Sequence, residues 1–304
     1  MRFFRLVFFL TLGLAFGGGC AAPLAGTGSA RAAAITFHIR PSGRPAPGAV
    51  LHLTAALPRT LPGRQALPGN LHYSEPPLRE YVERGVRYGE WDIPLDHGAR
   101  ELTITGDITF AKRLPESARA PQNADGWDDR PEAWIAPEPH LESAAPEVQA
   151  VAARIPPGQT PWETAKNIYR ATLNALAYQG FIPEADGAAA ALRRGKGDCT
   201  DYTDVFVALC RAKNIPARHV SGLLTHWRQT PCHSWAEFYT PENGWLPVDL
   251  LHGKLGRTRF GETPDERIYL SPHRNDPHFG GGMLYHWRLK NAGRGAATVK
   301  MELH

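Results

Sequence analysis

Four cysteines in 304 residues are too few to build a disulfide framework at this length. The chain must therefore rely on a buried core, and 42% hydrophobic residues supply the material for one. After the first twenty-odd residues no apolar run reaches the roughly 18 residues that a membrane helix requires. Phosphate chemistry also lacks its motifs, since the chain has no P-loop and no complete G-x-G-x-x-G. A serine nucleophile on an elbow is excluded by the absence of G-x-S-x-G. His273, His278 and His286 stand among Pro, Asn and Gly without the helix-face spacing of a zinc site, so no metal or cofactor is read. Nor is there a strong charge of either sign: 34 basic against 30 acidic residues leave only +4.

Acids are missing altogether from residues 1–34. Arg2 and Arg5 precede an apolar run from Leu6 to Phe16, and small residues follow from Gly17 to Ala22. That is the layout of a bacterial signal peptide, with an apolar run too short to span a bilayer. The leader is set at residues 1–22, and the chain is expected to be exported to the periplasm or held at a membrane. Gly19-Cys20 also fits a lipoprotein junction, which would make Cys20 a lipid-attachment residue; cleavage after Ala22 or within Ala30–Ala34 fits as well. Removing Arg2 and Arg5 takes the charge from +4 to +2. A nucleic-acid partner therefore has no electrostatic support. Residues 23–34, rich in Ala, Gly and Ser, read as a flexible leader.

Prolines divide what remains, with 17 of 27 falling between Ile35 and Thr160. Within residues 35–115 the short alternating runs Ile35, Phe37, Ile39; Val50, Leu51, Leu53; and Leu102, Ile104, Ile108, Phe110 predict antiparallel strands of a sandwich-like module. Residues 116–145, with Pro, Asp and two Trp in their neighbourhood, are expected to cross the surface as a connector. From residue 146 to 304 the pattern becomes helical and then mixed. Thr160-Pro161, with Glu163 three residues on, predicts a capped helix whose apolar face carries Ala165, Ile168, Tyr169, Thr172, Leu173 and Leu176 and which ends near Gln179-Gly180.

The chemistry concentrates in a later segment. Gly195-Lys196-Gly197-Asp198-Cys199 precedes a helical run from Tyr202 to Lys213, which sets Cys199 at a helix start. There the free amides and the dipole are expected to favour a thiolate and could hold a developing oxyanion. His233 to Tyr239 reads as a strand with His233, Trp235, Glu237 and Tyr239 on one face. Thr240-Pro241-Glu242-Asn243 fits a turn that returns Gly244 to Asp249 alongside. The register brings Asp249 to within about one residue of the position opposite His233, which would complete a nucleophile, base and orienting acid.

Four blocks carry a resemblance: Gly197-Asp198-Cys199; Leu209-Cys210-Arg211-Ala212-Lys213-Asn214-Ile215-Pro216-Ala217-Arg218-His219-Val220-Ser221-Gly222; His233-Ser234-Trp235-Ala236-Glu237; and Gly244-Trp245-Leu246-Pro247-Val248-Asp249. In order and spacing they resemble the transglutaminase-like superfamily, with weaker similarity back to Trp134. The resemblance implies an α+β, papain-like core in which a nucleophile helix packs on an antiparallel sheet behind the β-rich N-terminal module. It makes Cys199 the nucleophile, His233 the base and Asp249 the orienting acid, with no cofactor. The implied reaction is thiol acyl transfer on a carboxamide or peptide carbonyl, and the implied partner is a protein or peptide of the cell envelope. Water would make the enzyme a cysteine protease or amide hydrolase; an amine would make it a cross-linking acyltransferase. The turn Thr200 to Asp204 is more polar than in many members, which points to a different substrate preference. Tyr178 and Gln179 stand open as a second oxyanion donor or as helix-end packing.

Two other readings share these residues. One is a non-catalytic envelope binding protein on the same fold; the other is a cysteine N-acetyltransferase, which uses similar Cys, His and Asp logic. The remaining cysteines are secondary. Cys210 lies about 16 Å along the helix from Cys199, too far for a disulfide. An exported chain could join Cys210 to Cys232 if the helix underlies that strand.

Overall fold

The computed structural model describes residues 27–96, 98–111, 127–182, 186–228, 231–262 and 267–304. The leader and Cys20 lie outside these residues. In the front part, the strands are β1 (Thr27–Pro45), β2 (Val50–Leu57), β3 (Gln65–Ala66), β4 (His72–Tyr73), β5 (Arg79–Glu83), β6 (Val86–Pro94) and β7 (Arg100–Ala111). Next come α1 (Pro146–Arg154), α2 (Pro161–Ala175), β8 (Ala177–Tyr178), α3 (Ala188–Arg194), β9 (Lys196–Gly197) and α4 (Cys199–Ala212). The chain continues through β10 (Ala217–Leu224), β11 (Cys232–Thr240), β12 (Gly244–Val248), α5 (Leu250–Lys254), β13 (Arg267–Ser271), β14 (Tyr285–Lys290) and β15 (Gly293–Leu303).

Alternation along the front strands builds a sandwich. One sheet runs β15-β1-β7-β3 with β4 also on β7, and the other runs β14-β2-β6-β5. Ile35, Phe37 and Ile39 of β1, Leu51 and Leu53 of β2, and Leu102, Ile104, Ile108 and Phe110 of β7 turn into one shared core, as a period of two requires.

Two expectations change here. Residues 27–34, expected within a flexible leader, are the beginning of β1, and Ala30 to Ala34 pair with β7. Ala33 joins the sandwich core, and the backbone ladder to β7 orders its neighbours. The rear segment 146–304 also does not stay together. β14 pairs with β2 and β15 with β1, so the last two strands complete the front sandwich, where Leu284, Met301 and Leu303 join its core.

The rear core is organised around α4. Every residue from Thr200 to Arg211 is buried, because α1, α2, α3, α5 and the sheet β12-β11-β10-β13 enclose the helix on all sides. Helix α2 buries Ala165, Ile168, Tyr169 and Thr172, and its Thr160 cap accepts the Glu163 amide at 3.2 Å. It ends at Ala175 rather than near Gly180, because Ala177–Tyr178 pairs in parallel with Lys196–Gly197.

The connector is likewise not a surface strap where it is described. Trp127 and Trp134 are buried, and with Trp245 they surround the Arg218 guanidinium at 5.1, 5.3 and 4.0 Å from the ring centres. Gly222 permits a further close approach. A Cβ there would sit 2.1 Å from the Ile268 carbonyl oxygen, so only glycine lets β13 lie against β10 at this point.

Candidate active site

Cys199 is the first residue of α4, and Asp198 is its cap. The Asp198 carboxylate accepts the Thr200 amide at 2.8 Å, and Asp201 returns the favour by accepting the Asp198 amide at 3.0 Å, a complete capping box. The Tyr202 amide goes to the Asp198 carbonyl. Among the described residues, the helix-start amide left for a developing oxyanion is that of Cys199 itself.

Helix position alone does not settle the thiol. Burial pushes Cys199 up to about 12, and Asp198 adds to the rise; the Ser234 backbone amide donating to the sulfur and the Thr200 hydroxyl oppose it. The expectation that a helix N-terminus lowers this pKa is therefore outweighed by desolvation. A thiolate here needs a neighbour to take its proton.

Ser234, whose backbone amide donates to the sulfur, follows His233 directly in β11. His233 is fully buried, and its Nε2 lies 2.8 Å from Asp249 Oδ2. A carboxylate only accepts, so Nε2 carries the hydrogen of the neutral ring. Nδ1 is thereby left as the basic nitrogen, and it has no hydrogen-bond partner.

Asp249 reaches His233 by a route the register did not anticipate. β11 and β12 pair Ala236 with Val248, so a continued ladder would set Asp249 opposite Trp235, two residues from His233. The ladder stops at Val248, and Asp249 becomes the cap of α5, accepting the His252 amide at 2.9 Å through Oδ1. That turn leaves Oδ2 free to meet His233 and the Arg267 guanidinium. Burial alone would raise the Asp249 carboxyl; His233 and the Arg267 guanidinium outweigh it and hold the group well below the usual carboxylate range.

A second histidine shares this acid. His252 Nδ1 is 3.3 Å from Asp249 Oδ2 and its ring stacks on His233 with centres 5.0 Å apart. Burial lowers His252 to about 4 in spite of Asp249, so it stays neutral beside the base. His233, Asp249 and His252 offer metal-type ligand atoms within 4.8 Å of one another. The Arg267 guanidinium, bonded to Asp249 and 3.2 Å from His252, already fills the cationic role there. Trp227 closes the base from another side, its ring centre 5.7 Å from His233 and 6.0 Å from His252.

Beneath the nucleophile lies a support network that sequence reasoning missed. The Ser234 hydroxyl meets His219 Nε2 at 3.0 Å, His219 Nδ1 meets Asp204 at 2.8 Å, and Arg274 Nε closes on Asp204 at 3.0 Å. The polar turn from Thr200 to Asp204, expected to bear on substrate preference, is buried and spent on these bonds and on the cap. His219 and Ser234 were visible within the matching blocks, but nothing in their spacing assigned them this role. Arg267 gave no sequence signal at all.

Tyr178 and Gln179 come alongside Gly197 through the short parallel pair, and both are exposed, so neither packs a helix end. Cys210 and Cys232 are free. Cys210 is enclosed in the α4 core, whereas Cys232 packs against the sandwich core with its sulfur 4.0 Å from that of Met301. The Cys210–Cys232 bond that an exported chain could have formed is absent, because the two side chains belong to different cores.

Comparison with known proteins agrees with this architecture. Residues 149–250 match the sequence profile of the transglutaminase-like superfamily. A crystal structure of a proposed cysteine protease from Cytophaga hutchinsonii superposes with a TM-score of 0.57 at 16% identity, covering 91% of each chain, which bears on the fold. The periplasmic domain of TgpA from Pseudomonas aeruginosa gives a TM-score of 0.33 at 18% identity, over 73% of this chain and 88% of that one. A protein-glutamine gamma-glutamyltransferase of the same organism is 38% identical over 65 residues, 17% of this chain and only 9% of that protein's length. The matched segment contains Cys199, His233 and Asp249 together with the helix and sheet that carry them, so over residues 149–250 this chain is similar to the transglutaminase-like superfamily.

Proposed function

We propose that this chain is an exported thiol enzyme that acts on carboxamide or peptide carbonyls of envelope proteins, with Cys199 as nucleophile, His233 as base and Asp249 as orienting acid. The observation that carries the reading is the buried Asp249–His233 pair whose remaining nitrogen, Nδ1, has no partner, next to the residue whose amide touches the Cys199 sulfur.

In this mechanism the Cys199 thiol passes its proton to His233 Nδ1 as sulfur attacks the carbonyl carbon. Asp249 and Arg267 fix the ring and its tautomer, and the imidazolium that forms faces the Asp249 charge. The Cys199 amide receives the developing oxyanion; a Tyr178 or Gln179 side chain would add a second donor. His233 then returns the proton to the leaving amine, leaving a thioester on Cys199. Water resolves it to an acid, or a second amine resolves it to a new amide. Export is supported by the signal-like layout of residues 1–22; among the described residues no helix is long and apolar enough to cross a membrane. Cys20 would add a lipid anchor.

Incubating the purified chain with an envelope protein extract and a labelled primary amine tests the reading. Label entering protein identifies transamidation, and new N-termini identify proteolysis. Neither product, together with an inert Cys199, would overturn it in favour of a binding role.

A further inference from the structure

A second constellation of ligating side chains lies on the outer face of the front sandwich, far from Cys199 in the fold. Phe37 and Ile39 of β1 point inward, so His38 points out. Across one ladder His38 faces Glu101 of β7, and Thr36 faces Glu302 of β15 across the other. His304 follows β15 two residues after Glu302 and so shares its face. The main chain holds that last residue in place, with Ala34 and His304 exchanging amide and carbonyl bonds at 2.9 Å.

The side chains that pair here also offer ligand atoms to a common centre. His38 Nε2 is 3.3 Å from Glu302 Oε2, yet it is buried and has no hydrogen bond, so the two atoms are close without pointing at one another. His304 Nε2 is 3.6 Å from the same oxygen, and the three atoms lie within 4.8 Å of one another. Bonds of about 2.0–2.1 Å in a tetrahedron put neighbouring ligand atoms about 3.4 Å apart, close to the 3.3 and 3.6 Å by which the two imidazoles approach Glu302. His38 Nδ1 meets the Glu101 carboxylate at 3.0 Å. Because a carboxylate only accepts, the hydrogen is on Nδ1 and the Nε2 lone pair faces the cluster. An acid behind a histidine in this way is the support that zinc-binding imidazoles commonly have. Lys300 lies across from His38 but is exposed, with room to extend into solvent.

We propose that His38, Glu302 and His304 bind a zinc ion, with Glu101 orienting His38 and the fourth position open to water. Two imidazoles and a carboxylate suit a borderline-soft divalent ion better than calcium or magnesium, which prefer all-oxygen sites. The ion would tie β15, an edge strand, to β1.

The test uses the full chain freed of metal by a chelator, carrying Cys199→Ala so that the thiol cannot ligate. Titration with Zn2+ by calorimetry, and with Co2+ by visible absorption, should give one equivalent and the intense bands of tetrahedral cobalt. His38→Ala, Glu302→Gln and His304→Ala should each lose that equivalent, and Glu101→Gln should weaken it by about 10–100-fold. Zn2+ should raise the melting temperature of the parent and not of these variants. His304 is exposed, so His304→Ala keeps the test valid should another variant fold poorly. No bound equivalent in the parent, or one that survives all three ligand substitutions, would overturn the proposal.

Discussion

His233→Ala isolates what the imidazole does for the Cys199 thiol. Burial places that thiol at about 12 against 9.0 for an ordinary cysteine, three units that reduce its thiolate at neutral pH about a thousandfold. A more basic thiolate is a better nucleophile, with a Brønsted slope near 0.4–0.5, which restores roughly 20–30-fold. Without His233, Cys199 should then react with a small disulfide reagent about 30–50-fold more slowly than an unperturbed thiol at pH 7. Its rate should climb about tenfold per pH unit through the alkaline range. In the parent chain the proton moves to Nδ1, so the rate should exceed that of an unperturbed thiol and level off near neutrality. Cys232, also pushed to about 12 by burial, packs against the sandwich core on the opposite face of β11 from His233 and serves as an internal reference. Site-resolved mass spectrometry across pH 5–10 provides the measurement. If His233→Ala leaves Cys199 as reactive as in the parent, with the same plateau, proton transfer to His233 is not the source of the thiolate and the mechanism fails.

Two further outcomes follow from the buried charges. Glu237 is held near 2 although burial alone would raise it, because Arg64 grips both its oxygens at 2.8 Å and Arg218 adds bonds at 2.9 and 2.7 Å. Glu237→Gln leaves the two buried guanidinium groups with Asp129 as their remaining acid, 2.8 Å from Arg218 and 3.7 Å from Arg64, and should cost up to about 3–5 kcal/mol in chemical denaturation. Arg218→Met, which leaves the Arg64 pair whole, should cost less, and a reversed order would refute the assignment. His252 behaves as an acid-sensitive element: burial lowers it to about 4 from 6.5, so unfolding lets it take a proton between those values. Its contribution is whole above about pH 6.5 and drains as pH falls toward 4, by up to roughly 3 kcal/mol. His252→Gln should flatten the loss of stability between pH 7 and 5, and an unchanged slope would place the titration elsewhere.

What could be read in advance depended on local rules. Period-two runs such as Ile35, Phe37, Ile39 identify strands because alternate side chains must share a face. Asp198 before Cys199 identifies a helix start because a capping carboxylate binds the first free amides. The turn from Thr240 to Gly244 identifies the hairpin, and with it the neighbourhood of His233 and Asp249. The return of β14 and β15 to the front sandwich could not be read, since antiparallel pairing across more than 200 residues leaves no local trace.

The same distinction separates the reactive atoms from their control. Local pattern names the residues that can act: one cysteine at a helix start, one histidine on a strand and one acid at the end of its hairpin. Their tuning comes from the folded arrangement. Arg267 on Asp249, His252 stacked on His233, Asp204–His219 beneath Ser234 and the burial that raises Cys199 all arise from segments far apart in the chain. Desolvation and through-space charge depend on distance in the fold and not on spacing in the sequence.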